Sequence, residues 1–259
     1  MDRIPLTAIV LTRNSEQFIA RCLESISFAD EILVVDAHSS DKTQAICLSQ
    51  DQPWSERVNF VQRQWDNFRD QRNFSLDQAK HEWVLVIDSD EKCSDALKDR
   101  VQDFFKNGAF PPKKYYKIRR VEYFLGKEIT AGIWSPSYQD RFFKKNGIRY
   151  KNEVHEFPVY PEAPSRIEEP FYHWPGFGPQ QFLEKMVKYT RVEAQDRFEQ
   201  GKRTNAFRIF FAFFAMFFKN YFYYKAYRDG FYGFIISVLE GISRAVRHVR
   251  IWEIQSREK

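Results

Sequence analysis

Cysteine is scarce in this 259-residue chain: the three copies, Cys22, Cys47 and Cys93, lie far apart, with no metal-ligand spacing and no even set to pair. That excludes a disulfide scaffold and points to a reducing compartment. Long apolar runs are missing as well. No uncharged stretch approaches the ~20 residues that a transmembrane helix needs. The first strand-like run starts almost at once, so no signal peptide is expected. Internal repeats and low-complexity linkers are absent from the sequence. A net charge of +5 and a sequence pI near 9.0 suit anionic partners in general. No basic motif of a nucleic-acid-binding kind accompanies them, so nucleic acid is set aside.

What the chain does have is a set of strands that end in polar residues. Leu6 to Leu11 is a strand-like run closing on Thr12-Arg13-Asn14-Ser15, after which Phe18, Ile19, Cys22, Leu23 and Ile26 recur at helical spacing. Glu31 to Val35 is a second strand closing on Asp36, followed by a polar turn in which Ser40 or Asp41 is a candidate helix cap. A strand near Val58 to Val61 and a helix from Phe68 to Ala79 lead to a further apolar run, Trp83 to Ile87. Strands alternating with helices predict a parallel sheet with crossover helices, and in such sheets ligands sit beyond the carboxyl ends of the strands. Asn14, Asp36 and Asp90 all fall at such ends.

Asp88-Ser89-Asp90 follows the last of these runs directly. On an extended chain, carboxylates at i and i+2 project to one side, roughly 7 Å apart. That is too wide for a shared proton. It suits a divalent cation at one carboxylate and a ribose or a phosphate-bound water at the other. Hard oxygen donors favour Mg²⁺ or Mn²⁺, which keep positions open for substrate phosphates.

The order of these segments resembles the family 2 glycosyltransferases, which have the nucleotide-sugar-binding GT-A fold. The resemblance is carried by Leu11-Thr12-Arg13-Asn14, by Asp30 to Asp36 with Ser39 to Thr43, and by Asp88-Ser89-Asp90-Glu91. It continues through Gly132-Ile133-Trp134-Ser135-Pro136, Arg141-Phe142-Phe143 and Val154-His155-Glu156, to His173 ahead of a helix bearing Lys185 and Tyr189. Within the family the chain is similar to the lipopolysaccharide-core β-1,4-glucosyltransferase group. One departure stands out: the family's Asp after the Pro of this Gly-Trp segment is Ser137 here. The acceptor side is therefore expected to differ from the typical member.

The resemblance implies an α/β GT-A fold, with a mostly parallel central sheet flanked by helices and a C-terminal aromatic-rich helical extension. It implies an inverting, metal-dependent transferase that moves a hexose, glucose by this likeness, from a UDP-sugar to a lipid-linked or lipopolysaccharide-type glycan. Asp36 is expected to accept from the uracil imide, with Thr12 and Asn14 lining the same pocket; a turn acid and a strand-ending threonine are the plainer readings. Arg72, next to Asn73, is a candidate diphosphate contact, because guanidinium matches phosphate oxygens in a fork; an arginine on a solvated helix face is the alternative. Asp90 is the expected direct metal ligand, Asp88 touches ribose or a metal-bound water, and His173 adds a metal or phosphate contact unless it is simply packed among its aromatic neighbours. The metal would neutralise charge on the leaving nucleoside diphosphate.

Inversion needs one general base to take the acceptor hydroxyl proton. Glu156 is the expected base, with Glu153 and Asp140 as competitors. Trp134, Arg141 and His155 are placed on the substrate side, Arg141 as a brace.

Residues 1–110 are expected to form the nucleotide-sugar half, 111–200 the acceptor and catalytic half, and 201–259 a basic, aromatic helical extension. Pro111-Pro112-Lys113-Lys114 marks the first boundary. From Ala206 to Lys225 phenylalanine and tyrosine dominate, and Arg208, Lys219, Lys225, Arg228, Arg244, Arg247 and Arg250 outnumber the nearby acids. Such segments lie in a membrane interface, drawn to anionic lipid; a helical pair packed on the catalytic part is the alternative. The expected site of action is the cytoplasmic face of the cell membrane, with the protein attached peripherally. Two other classes remain in view. A sugar nucleotidyltransferase would want a glycine-rich phosphate loop, which Thr12-Arg13-Asn14-Ser15 lacks, and a catalytically silent membrane-binding protein would have no use for Asp90 and Glu156.

Overall fold

The structure, a computed structural model, describes residues 4–152, 156–174 and 179–258. In chain order the elements are β1 (Ile4–Thr12), α1 (Ile19–Ser25), β2 (Ala29–Asp36), α2 (Thr43–Cys47), β3 (Val58–Gln62), α3 (Phe68–Gln78), β4 (Trp83–Asp88), β5 (Glu91–Cys93) and α4 (Asp95–Phe104). Next come β6 (Tyr115–Phe124), β7 (Lys127–Ile129), β8 (Ser137–Lys144), β9 (Tyr150–Lys151), β10 (Phe157–Pro158) and β11 (Ser165–His173). Three helices close the chain: α5 (Pro179–Glu199), α6 (Ala206–Phe218) and α7 (Phe231–Arg257). It divides into two compact units, Met1–Arg120 with Ser137–His173, and Val121–Pro136 with Trp174–Lys259.

In the first unit the strands β3-β2-β1-β4 run parallel. Beyond them the sheet becomes antiparallel, β4 pairing β8 and β8 pairing β6, with β11 and β5 following in the order. The inner strands β2, β1 and β4 are largely apolar on both faces because both are covered, while the edge strand β3 is partly exposed. Leu6, Ala8 and Val10 of β1 join one buried cluster with Ile32, Val34, Leu85 and Ile87. Ile9 and Leu11 join another with Leu33, Val35, Val84 and Val86. Alternation along each strand thus feeds two cores, and the polar side chains buried within them, Thr7 of β1 and Glu31 of β2, are hydrogen-bonded to each other. Asn67 caps α3 by accepting from the Asp70 amide at 2.9 Å, and Ser94 caps α4 by accepting from Leu97 at 3.1 Å. The turn expected to cap α2 works differently: Asp41 accepts from the Thr43 amide, and its other oxygen accepts from the Glu16 amide, tying two loops together. Pro111–Lys114 lies inside the first unit, at the bend into β6.

The second unit is built on polar clamps as much as on apolar contact. The Asp229 carboxylate accepts from the Thr130 amide, the Thr130 hydroxyl and the Ala131 amide, at 2.6–3.2 Å. Asn220, fully buried, accepts from the Ile133 amide at 2.7 Å and donates to Ser237 at 2.9 Å. The Gly132 amide donates to the Tyr224 carbonyl, and Trp134 donates its indole N–H to Glu240 at 2.9 Å. Burial raises the Glu240 carboxyl above its ordinary range against that hydrogen bond. Phe124, Ile129 and Ile236 form the buried centre beside Trp134 and Leu239. Among the described residues no helix is long and apolar enough to cross a membrane.

Gly233 sits where α7 passes the backbone of Ala226: a Cβ there would lie 1.8 Å from the Ala226 carbonyl oxygen. Backbone cannot yield as a flexible side chain does. Gly233→Ala is expected to destabilise the chain by ~3 kcal/mol, read as a lower urea midpoint at unchanged slope.

Candidate active site

Register brings the polar strand ends together. Thr12 pairs with Asp36 across β1 and β2, and Leu11 pairs with Asp88 across β1 and β4. Asn14 follows in a left-handed conformation (φ 50°), which asparagine tolerates better than most residues. Its side-chain oxygen accepts from the Ser40 amide at 2.8 Å, and its own amide donates to the Ser39 hydroxyl at 2.8 Å. Asp36 is wholly buried and accepts from the Ser39 amide at 2.9 Å, the Ser39 hydroxyl and the Gln62 amide group. The Thr12 hydroxyl is buried without a hydrogen-bond partner among the described residues.

Behind these ends lies a cluster of charges. Asp88 accepts from Arg141 at 2.5 and 3.3 Å and from Arg72 at 3.2 Å. Arg141 also donates to Glu91 at 3.0 Å, and Arg120 approaches the same Glu91 oxygen at 3.6 Å. Glu91 in turn accepts from the Asp88 amide. Arg72 reaches the other way and donates from Nε to Glu156 at 3.0 Å. α3, β4, β5, β6 and β8 each deliver one member, and Glu156 stands just before β10.

Burial pushes the Asp88 carboxyl up, but Arg141 and Arg72 outweigh it and hold the group well below the carboxylate range. Glu91 goes the other way: burial raises it, and the neighbouring Asp88 adds to the rise despite Arg141. Burial opposes charge on Arg141, yet Asp88 and Glu91 keep it firmly protonated.

The chain turns after Asp88, so the two acids of the Asp-Ser-Asp motif part company. Asp90 faces His173, whose Nε2 lies 3.3 Å from Oδ2. The cause is the antiparallel register of β11 on β5, which sets His173 opposite Glu91, one residue from Asp90. Among the described residues no group of three or more His, Cys, Asp or Glu side chains stands ready for a metal ion. A partly exposed carboxylate beside an imidazole nonetheless fits Mg²⁺ or Mn²⁺, ions that take one or two protein donors and leave the rest to water and phosphate.

Asn73 donates to the Tyr150 carbonyl and accepts from its amide, so it fastens β9 to α3. Trp134 belongs to the second unit, packed against Phe124 and Phe182. His155 and Glu153 lie outside the described residues. Asp140 is bound to Lys117 at 3.4 Å, and burial raises its carboxyl. Three groups escaped the sequence reading: Glu91 as a buried charge, Arg120 as its second counter-ion, and the hydroxyl pair Ser15–Ser89 (2.8 Å) that joins the first turn to the acidic one. Only Glu91 carried a signal, as the acid next to the Asp-Ser-Asp motif.

An unfolded aspartate titrates near ~3.9. Asp88 lies below that when folded, so its contribution is complete above about pH 4 and is lost as pH falls through the folded value. Glu91, raised when folded, acts with the opposite sign. Asp88→Asn is expected to cost ~2 kcal/mol at neutral pH, less than a fully buried pair because 30 % of the side chain still meets solvent. Denaturant titrations across pH should show that gap narrowing below about pH 4; a constant gap would contradict the network.

Comparison with known proteins gives the family and the fold. Residues 7–163, more than half of the chain, match the family described as "Glycosyl transferase family 2". The lipopolysaccharide core biosynthesis glycosyltransferase LpsC of Rhizobium meliloti is 26% identical, over 98% of this chain and 94% of its own. An uncharacterized glycosyltransferase of Rickettsia bellii is also 26% identical, over 96% of this chain and 86% of its own. Among solved structures, the mannosyltransferase PcManGT from Pyrobaculum calidifontis, in complex with GDP-Man and Mn²⁺, shares the fold. It has a TM-score of 0.51 at 14% identity, over 79% of this chain and 66% of that one. The strand order, the acids at the strand ends and the family match together identify the chain as a glycosyltransferase with the GT-A fold, belonging to glycosyl transferase family 2.

Proposed function

We propose that this enzyme transfers a hexose, with inversion, from a UDP-sugar to a membrane-borne glycan of the lipopolysaccharide-core type. The observation that carries the reading is the meeting of Glu156, Arg72, Asp88 and Arg141 beside the Asp90–His173 pair, beyond the parallel strand ends. The full-length likeness to LpsC supports the glycan class.

In this mechanism the acceptor hydroxyl attacks the anomeric carbon while the bond to the diphosphate breaks, and its electrons leave on UDP. The hydroxyl proton goes to Glu156. Arg72 holds Oε1 of that carboxylate, leaving Oε2 with no partner among the described residues. Two of the three Arg72 nitrogens are held by Glu156 and Asp88, so Arg72 positions the base more than it grips the diphosphate. Asp90 and His173 would hold Mg²⁺ or Mn²⁺, which supplies charge neutralisation for the leaving diphosphate. With both oxygens on arginine, Asp88 serves as the brace of the cluster. Asp36, with Thr12 and Asn14, lines the base pocket. Residues 1–110 serve the donor, 111–200 the acceptor, and 201–259 attach the protein peripherally to the inner face of the membrane.

Calorimetry with UDP, GDP and CDP, each with and without Mn²⁺, tests the donor; GDP is included because PcManGT was solved with GDP-Man. Metal-dependent UDP binding is expected, weakened by ~100-fold in Asp90→Ala. Failure of the folded protein to bind any of the three would sink the reading. Glu156→Gln should keep UDP affinity and lower kcat by ~10²–10⁴-fold. Transfer at the wild-type rate would remove Glu156 as base.

A further inference from the structure

α6 carries its aromatic residues on the wrong side for a core helix. Ala212, Met216 and Asn220 face inward at four-residue spacing, and Phe213 packs against Gly241 of α7. Phe207, Phe210, Phe211, Phe214, Phe218 and Phe222 form the opposite stripe and are exposed, Phe207 at 68% and Phe210 at 63%. The turn after α6 extends the patch with Tyr223 at 74%, and the start of α7 adds Phe231 at 72%. A patch of this extent marks an interaction surface.

The charges say what it meets. From Gly201 to Arg228 there are six cations, Lys202, Arg203, Arg208, Lys219, Lys225 and Arg228, all exposed, and no acid at all. A second copy would set six cations against six, which argues against self-association through this face. A helix of 13 residues is too short to span a bilayer. An aromatic stripe rimmed by lysine and arginine matches the boundary between anionic headgroups and acyl chains.

We infer that the outer face of α6, with the turn after it and Phe231, is an in-plane docking surface for an anionic lipid bilayer, while α7 serves as the scaffold behind it. The inference rests on the proposed membrane-borne acceptor for its purpose and narrows attachment from the whole extension to one face. The same turn holds loop 130–136: Asn220 and Tyr224 bind Ile133 and Gly132, and the Ile133 side chain is itself exposed. Docking therefore sets the height of that loop above the lipid.

The test is flotation of the full chain with vesicles that contain no glycan, either neutral phosphatidylcholine or phosphatidylcholine mixed with phosphatidylglycerol. Binding to the anionic vesicles is expected, falling ~10-fold at raised salt. The combined substitution Phe210→Ser, Phe214→Ser, Phe222→Ser should weaken it ~100-fold, with circular dichroism and UDP affinity unchanged. Lys219→Glu with Lys225→Glu gives a second route that leaves the rings in place, and it should lower anionic-vesicle binding alone. Equal vesicle binding by the folded triple-serine variant would overturn the inference. So would a wild-type monomer that ignores both vesicles, or wild-type dimers that the serine variant dissolves. Vesicle binding without UDP binding would sink the proposed function and leave this surface standing.

Discussion

The Asp88 carboxylate lies between two arginines that reach it from distant parts of the chain, Arg72 on α3 and Arg141 on β8. The two arginines are nearly enclosed and the Asp88 side chain keeps only part of its surface in solvent, so losing a partner costs more than at an exposed surface pair. The cluster therefore stands or falls as a unit. Its assembly fixes where α3, β4, β5 and β8 stand relative to one another, and Glu156 receives its orientation from the same arginine. Shape at the strand ends is thus set by charge pairing, while the strands beneath are set by apolar burial on two faces.

Much of the first unit was legible because its signals are local. The apolar runs ending in Thr12, Asp36 and Asp88 read as parallel strands, and the parallel register brings those ends into line. The helix carrying Arg72 followed from its spacing. The Asp-Ser-Asp motif was legible as an acidic strand end but not in its geometry. The rule for an extended chain stops at Asp88, where the backbone turns, and register on β5 then hands Asp90 to His173. The antiparallel half of the sheet was also hidden, since the pairing of β8 with both β4 and β6 depends on long-range contacts that no periodicity records. Asn73 illustrates the limit: its neighbour Arg72 enters the charge cluster, while its own amide group is held by the backbone of Tyr150.

In the second unit the sequence left open whether the aromatic tail packs or is exposed. It does both, on opposite faces of one helix. Ala212, Met216 and Asn220 take the inner positions, and Gly241 of α7 makes room for the Phe213 ring. Phe207, Phe210, Phe211, Phe214 and Phe218 are left on the other side. Polar clamps from Asp229 and Asn220 then hold the loop that carries Trp134.

Those clamps reach far along the chain: Thr130 is 99 residues from Asp229, and Trp134 is 106 from Glu240. During synthesis the hairpin end with Phe124, Ile129 and Trp134 therefore leaves the ribosome long before α7 exists to cover it. The first unit can complete its sheet with β8 and β11 meanwhile, since both precede α5. The nascent protein thus passes through a stage with the sheet of its first unit assembled and an apolar hairpin end not yet covered, the kind of exposed surface that favours aggregation. Only once Asp229 and α7 have been made can the clamps on Thr130 and Trp134 close.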